Sequence, residues 1–241
     1  MYQRDLAYIH DTGFTGFATK AAPGLLRMLR QNRIHEGLVV DAGCGSGVWA
    51  RRLNDAGYAV LGIDVSASMI RLARKHAPAA RFLVESFFKT ALPTCEAVTA
   101  IGECVNYAFD AGSGKLALVR FFHRVYDALR PGGIFIFDVV EPGLVPDGIP
   151  QRKFLEGPDW AILLEVREDR KHGILTRRIT SYRRVGRLYR RSEELHRLHL
   201  LPRNELLTLL SQVGFEVRTL SGYGRLRFAP AHVEFLARKV S

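Results

Sequence analysis

Over the first two-thirds of the chain, short apolar runs alternate with longer stretches of helical period, the pattern of a parallel sheet flanked by helices. Pro23 to Ile34 reads as a leading helix, because proline suits a helix start and Leu25, Leu26, Met28 and Leu29 supply an apolar face. The runs Leu38 to Ala42, Tyr58 to Ile63, Arg81 to Glu85, Ala97 to Gly102 and Ile134 to Val140 are predicted as five strands. Between them fall a helix from Val48 that Gly57 stops, one that Ser66 caps and that ends near Pro78, and a long amphipathic helix from Lys115 to Leu129. After strand five the rhythm changes. Ala161 to Glu168, Ile174 to Val185 and Leu188 to Leu200 are three strand-like runs separated by short glycine turns, and such turns demand antiparallel pairing. Pro202 then opens a helix, Gly214 closes it, and Phe215 to Leu220 and His232 to Ala237 supply two final strands.

Composition narrows the class without naming a function. The 241 residues, 47% hydrophobic and 24% charged, fit one large globular domain. Cys44, Cys95 and Cys104 lack the even count and close pairing of a disulfide framework or a zinc site, so free thiols in a reducing compartment and no metal are expected. No apolar run approaches the ~20 residues that cross a bilayer and no signal segment opens the chain, so a cytoplasmic protein is expected, with no membrane partner. The charge of +11 is the unusual number. It leaves nucleic acid or an acidic substrate open as partners.

Chemistry enters at VVDAGCGSGVWA, Val39 to Ala50, a glycine-rich turn from a buried strand into a helix. Such a turn lets backbone amides and a helix N-terminus approach a ligand closely. Gly45, Gly47 and Ala50 satisfy the dinucleotide pattern, with Asp64 about twenty residues on, so a nicotinamide oxidoreductase is one reading. The other starts one glycine earlier, at Gly43, Gly45 and Gly47 behind Asp41. There the sequence resembles the class I S-adenosylmethionine-dependent methyltransferases, whose first motif is an acidic residue followed by G-x-G-x-G. GIDVS, ending in the second strand with Asp64, the LRPGG turn before strand five, and the final pair FEVRTL and HVEFLA continue the resemblance in order.

The resemblance implies an α/β fold: a Rossmann-like, seven-stranded, mostly parallel sheet with helices on both faces, plus an antiparallel insert between strand five and the last helix. It divides a single methyltransferase domain into a helical lid (1–36), a cofactor core (37–142), the insert (160–200) and a C-terminal helix with strands (201–241). S-adenosylmethionine is the implied cofactor. Gly43, Cys44 and Gly45 would pack on its amino-acid part, Asp41 would receive its ammonium, and Asp64 would accept from the ribose hydroxyls. Val65 and Met69 would cover the adenine, although Met69 on its apolar stripe suits core packing equally. Glu85, Ser86 and Phe87 occupy the adenine-edge position, and Ile101 and Gly102 reach the mouth where the methyl should project.

Methyl transfer is an in-line displacement in which positioning supplies most of the catalysis and a base is needed only when the acceptor must lose a proton. Glu103, Asn106 and Tyr107 after strand four, with Tyr8, His10 and Asp11 from the lid, ring the expected methyl position. His10, Glu103 and Asn106 are the catalytic candidates. The implied activity is transfer to N or O of a small-molecule acceptor. The alternative is an RNA or protein methyltransferase using the insert's Arg177, Arg178, Arg183, Arg184, Arg187, Arg190 and Arg191. Glu165, Glu168, Glu193 and Glu194 in neighbouring strands can pair with those arginines, and ECVNY lacks the prolines of base-amino methyltransferases, so nucleic acid is not favoured. A non-catalytic member that forms a homodimer through the insert completes the alternatives.

Overall fold

The computed structural model describes residues 2–108, 114–146 and 148–240. Two helices lead, α1 (Arg4–Gly13) and α2 (Gly16–Gln31), followed by β1 (Leu38–Ala42), α3 (Val48–Asp55), β2 (Ala59–Asp64), α4 (Ala67–His76), β3 (Arg81–Val84) and β4 (Cys95–Ala100). A single 3-10 turn (Cys104–Asn106) precedes α5 (Lys115–Ala128) and β5 (Leu129–Val140). Then come β6 (Gln151–Gly157), β7 (Trp160–Asp169), β8 (Ile174–Val185), β9 (Leu188–His199), α6 (Arg203–Val213), β10 (Phe215–Leu220), the short β11 (Gly222–Tyr223) and β12 (Leu226–Arg227), and β13 (His232–Lys239).

The fold class is the expected one. Seven strands form one sheet in the order β10-β13-β5-β4-β1-β2-β3, with β13 antiparallel to both neighbours and β1 to β5 parallel. Both faces are covered, so each strand is apolar throughout and alternate residues enter different cores. Val40, Val98 and Phe135 pack under α5 and α6, whereas Val39, Ala97 and Ile134 pack under α2, α3 and α4. Phe135, Phe137 and Phe235 stack across β5 and β13, with centroids 4.5 and 4.9 Å apart. Truncating one of them to alanine would cost about 3–5 kcal/mol.

Four elements depart from the pattern reading. The leading helix begins at Gly16 and carries Pro23 inside it, at the cost of one backbone bond, because its buried face extends back to Ala21 and Ala22. A separate helix, α1, precedes it. The insert has four strands in the order β6-β7-β8-β9, one more than the three expected. β5 starts at Leu129, so RPGG is an irregularity inside the ladder between Cys95 and Ala97 of β4, not a turn before it.

The insert is fastened over the open end of the main sheet. Asp5 of α1 pairs with Arg183 and Arg190 of the insert. The Tyr8 hydroxyl donates to Asp159 at 2.8 Å, and Arg183 lies 3.5 Å above the Tyr8 ring. Tyr8, one of the lid candidates, therefore clamps the insert and does not line the site.

Candidate active site

The carboxyl ends of β1, β2 and β4 converge on a cavity, where an open α/β sheet binds its ligands. Its wall includes Asp41, Gly43, Cys44, Gly45, Asp64 and Val65 from the first two strand ends, and Met69, Phe87, Ile101 and Gly102 from the next elements. His10, Tyr2 and Tyr107 close the remaining side. The structure thus brings together ten of the twelve residues expected to hold the cofactor. Glu85 and Ser86 stand beside the wall, not on it. Glu85 accepts from Thr90 Oγ1 at 2.9 Å and the Ser86 carbonyl caps the turn that follows, so both are consumed by local structure.

Two glycines of the loop serve different ends. Gly43 has φ +79° and a β-carbon there would lie 2.5 Å from Cys104 Sγ, so the loop after β4 requires it. Gly45 has φ +52° and nothing within 4 Å of where its β-carbon would be. That space belongs to the cavity, and only the absence of a side chain keeps it open.

Asp41 is buried in the wall. Its Oδ1 accepts from Thr99 Oγ1 at 3.0 Å, and Thr99 in turn accepts from Trp49 Nε1 at 3.1 Å. Its Oδ2 is buried without a partner. Burial, with the Asp64 charge nearby, pushes its pKa from 3.8 to about 7. An unpaired carboxylate oxygen in such a place fits a cationic group. Asp64 is steered by two backbone amides, Gly45 N at 3.0 Å and Ser66 N at 2.8 Å. Burial raises its pKa, against the pull of those amides. Val65, Met69 and Phe87 add apolar surface to the same wall. An ammonium-bearing, hydroxylated molecule with an aromatic ring, such as S-adenosylmethionine, suits this donor set.

The loop after β4 is shaped by a residue that pattern reading missed. Asp138 of β5 accepts from Gly102 N at 2.8 Å, Glu103 N at 2.7 Å and the Tyr223 hydroxyl at 2.6 Å. Burial raises its pKa to about 6 against those three donors. Its cross-strand partner Glu234 has both carboxyl oxygens buried and unpartnered, and burial beside Asp138 pushes it to about 8. Single acids inside the apolar runs IFIFDVV and HVEFLA were the available signal.

The catalytic candidates separate on geometry. Glu103 adopts φ +62°, and its carboxylate lies 2.7 Å from Arg177 Nη2 and 2.7 Å from His232 Nε2. Burial pushes Glu103 upward, but the guanidinium and imidazole outweigh it and hold the group below the usual carboxylate range. This catalytic candidate is held as an anchored anion. Asn106 is fully buried, donating to the Val140 and His199 carbonyls and accepting from Val140 N. It ties the turn to β5 and β9 and does not reach the cavity. His10 does reach it: the imidazole lines the wall, Nδ1 is buried without a partner, and burial lowers its pKa, so it is neutral at pH 7. Asp11 faces His76 at 3.5 Å instead. The Tyr107 hydroxyl lies 3.3 Å from that of Tyr2 and accepts from Arg177 at 3.4 Å.

A second cavity of about 450 Å³ adjoins the first under the insert. Tyr2, His10, Phe14 and Tyr107 line both. Its floor is apolar, with Leu155, Ile162 and Val166 among the lining residues, and Arg177, His196 and His232 stand at its polar side.

Residues 39–133 match the family model described as a methyltransferase domain. The malonyl-acyl-carrier-protein O-methyltransferase of Pectobacterium atrosepticum is 32% identical over 120 residues, which are 48% of this chain and 44% of that protein. The chain spans less than half the length of the first curated relatives it matches. Among solved structures, an S-adenosylmethionine-dependent methyltransferase from Clostridium acetobutylicum superimposes with TM-score 0.82 at 16% identity, covering 98% of both chains. The S-adenosylmethionine-bound amino pentose methyltransferase CalS10 from Micromonospora echinaspora gives TM-score 0.77 at 19% identity, covering 100% of this chain and 98% of that one. At these identities the likeness to the solved structures is one of fold.

Proposed function

We propose, from the premise that this chain is a class I S-adenosylmethionine-dependent methyltransferase, that it moves the methyl group of S-adenosylmethionine to N or O of a small-molecule acceptor. The observation that carries the reading is the pair of adjoining cavities with four residues in common. The first offers Asp41, Asp64 and Gly45 to the cofactor. The second, of about 450 Å³, lies against the insert and is scaled to a small molecule. When bound, the cofactor supplies an electrophilic methyl carbon. This chain's part is to hold Gly102 at the cofactor cavity and Tyr107 at the shared wall, to exclude water with Tyr2 and Phe14, and to offer neutral His10 to the acceptor. The similar proteins named above include an amino pentose methyltransferase and an O-methyltransferase, and the reading covers a nitrogen or an oxygen acceptor. Free Cys44, Cys95 and Cys104 agree with a cytoplasmic enzyme.

The arginines of the insert weigh against the nucleic-acid alternative. Arg177, Arg178, Arg183, Arg190 and Arg191 each pair with Glu103, Glu193 or Asp5. Calorimetry should show micromolar-range binding of S-adenosylhomocysteine, weakened by Asp64→Ala, and labelled donor should pass its methyl to a component of a small-molecule extract. Failure of wild type to bind S-adenosylhomocysteine, or transfer of label to RNA in preference to metabolites, would refute the reading.

A further inference from the structure

The insert strand β9 hides a second imidazole behind the acceptor cavity. Residues of β9 alternate faces, so Glu194, His196 and Leu198 point inward from a run that otherwise reads as a charged surface strand. His196 is 1% exposed and lines the cavity of about 450 Å³. Its Nε2 lies 3.0 Å from Glu194 Oε2, while its Nδ1 is buried with no partner. The other Glu194 oxygen accepts from Gln3 N at 2.8 Å. A carboxylate therefore fixes the ring, sets Nε2 as the protonated nitrogen and leaves Nδ1 bare. The ring stands 5.9 Å from Tyr107 and 5.0 Å from Tyr2, centroid to centroid, and both tyrosines belong to the wall between the two cavities.

Resting on the methyl-transfer reading above, we propose that His196 takes the acceptor's proton at Nδ1, with Glu194 as the residue that positions it. The acceptor's lone pair forms the new bond to the methyl carbon, the carbon–sulfur bond breaks with its electrons on sulfur, and the displaced proton passes to Nδ1. The resulting imidazolium faces Glu194 and later releases the proton to water. His10 offers an unpartnered nitrogen to the same cavity, but burial weakens it as a base. Among the described residues, the charged and titratable groups facing the ring are Glu194, the cross-strand neighbour Arg177, itself paired with Glu103, and Lys153, His232, Tyr2, Tyr107 and His10 of the same cavity. Because Glu194 also holds Gln3, docking of the segment before α1 and orientation of the imidazole depend on one carboxylate.

Two measurements on the full chain test this. Long-range proton–nitrogen correlation spectra of histidine-labelled protein with S-adenosylhomocysteine should show His196 as the Nε2–H tautomer. In Glu194→Gln that preference should be lost and both tautomers populated. An Nδ1–H tautomer in wild type, or an unchanged tautomer in Glu194→Gln, overturns the proposal. In labelled methyl transfer to the extract fraction that wild type modifies, His196→Gln keeps a donor toward Glu194 and removes the base. Turnover should fall by roughly 10²–10⁴ and the acid limb of the rate profile should vanish. A rate and pH profile like wild type overturns this proposal alone. A wild-type protein that labels nothing overturns the methyl-transfer reading, and this proposal with it.

Discussion

Asp41→Asn should make the unliganded protein more stable at pH 8 while weakening its hold on the cofactor. A rise from 3.8 to about 7 for a carboxyl group that is 2% exposed spans roughly three pH units. At about 1.4 kcal/mol for each, ionised Asp41 costs the folded state about 4 kcal/mol above pH 7. The sign follows from proton binding. Between about pH 4 and pH 7 the folded state holds a proton that the unfolded state has released, so stability falls as pH rises through that window and stays low above it. Asparagine keeps the acceptor for Thr99 but leaves an unpaired amide where Oδ2 was, which returns about 1–3 kcal/mol of the gain. The net expectation is about 2 kcal/mol at pH 8, or roughly 5 °C in melting temperature for a chain of this size, and it reverses sign by pH 4, where the gain is gone and only the cost of the unpaired amide remains. Differential scanning fluorimetry from pH 4 to pH 9 measures it, and the difference between variant and wild type cancels the parallel contributions of Asp64, Asp138 and Glu234. Calorimetry in buffers of differing ionisation enthalpy supplies the second half: S-adenosylhomocysteine should release about half a proton from wild type at pH 7 and none from the variant. Melting curves that run parallel over the whole pH range, or equal proton release, would refute the assignment of an unpaired buried carboxylate.

Gly45→Ala places a methyl group in open cavity space and strains a φ of +52°, so it should cost only about 1–2 kcal/mol in thermal melts yet weaken S-adenosylhomocysteine at least tenfold by calorimetry. Tyr223→Phe deletes the 2.6 Å bond to Asp138 and should destabilise by about 1.5–3 kcal/mol in urea titrations, with a smaller loss if Asp138 is protonated at the pH used. His232 shows the opposite pH sense to Asp41. Burial lowers its pKa, but the bond to Glu103 outweighs that and raises it, so the stabilisation is full below pH 6.5 and is lost as pH rises through the folded-state value. His232→Gln should therefore melt lower than wild type at pH 5.5 and converge with it near pH 9; a constant gap would contradict the pairing.

Strands β1 to β5 were legible because burial on both faces writes them as unbroken apolar runs, and the glycine loop and Asp64 because a strand end followed by a helix start leaves few conformations. Strand β6 was not legible. Gln151, Lys153 and Leu155 face the cavity while Phe154 is exposed, so its pattern is inverted relative to an ordinary half-buried strand. The fate of Glu103 was hidden for another reason. Its partners Arg177 and His232 lie 74 and 129 positions downstream, and no local pattern pairs a residue of the β4 loop with one from the insert and one from the last strand. Asn106 misled in the same way, since an amide near a strand end looks identical whether it binds a substrate or the backbone of two other strands. His196 and Glu194 were concealed by their arginine-rich surroundings, which drew attention to the outward face of β9.

The hydrogen-bonded series from Trp49 through Thr99 to Asp41 has an optical consequence. The chain contains two tryptophans. Trp49 lines the first cavity, whereas Trp160 packs at 5.7 Å from Phe14, which borders both cavities. A charge change at Asp41 reaches one indole through a single threonine, and movement of Phe14 reaches the other by ring contact. Intrinsic fluorescence thus carries two separable signals, and a pair of Trp→Phe variants would let the filling of each cavity be timed in a stopped-flow instrument without any added dye.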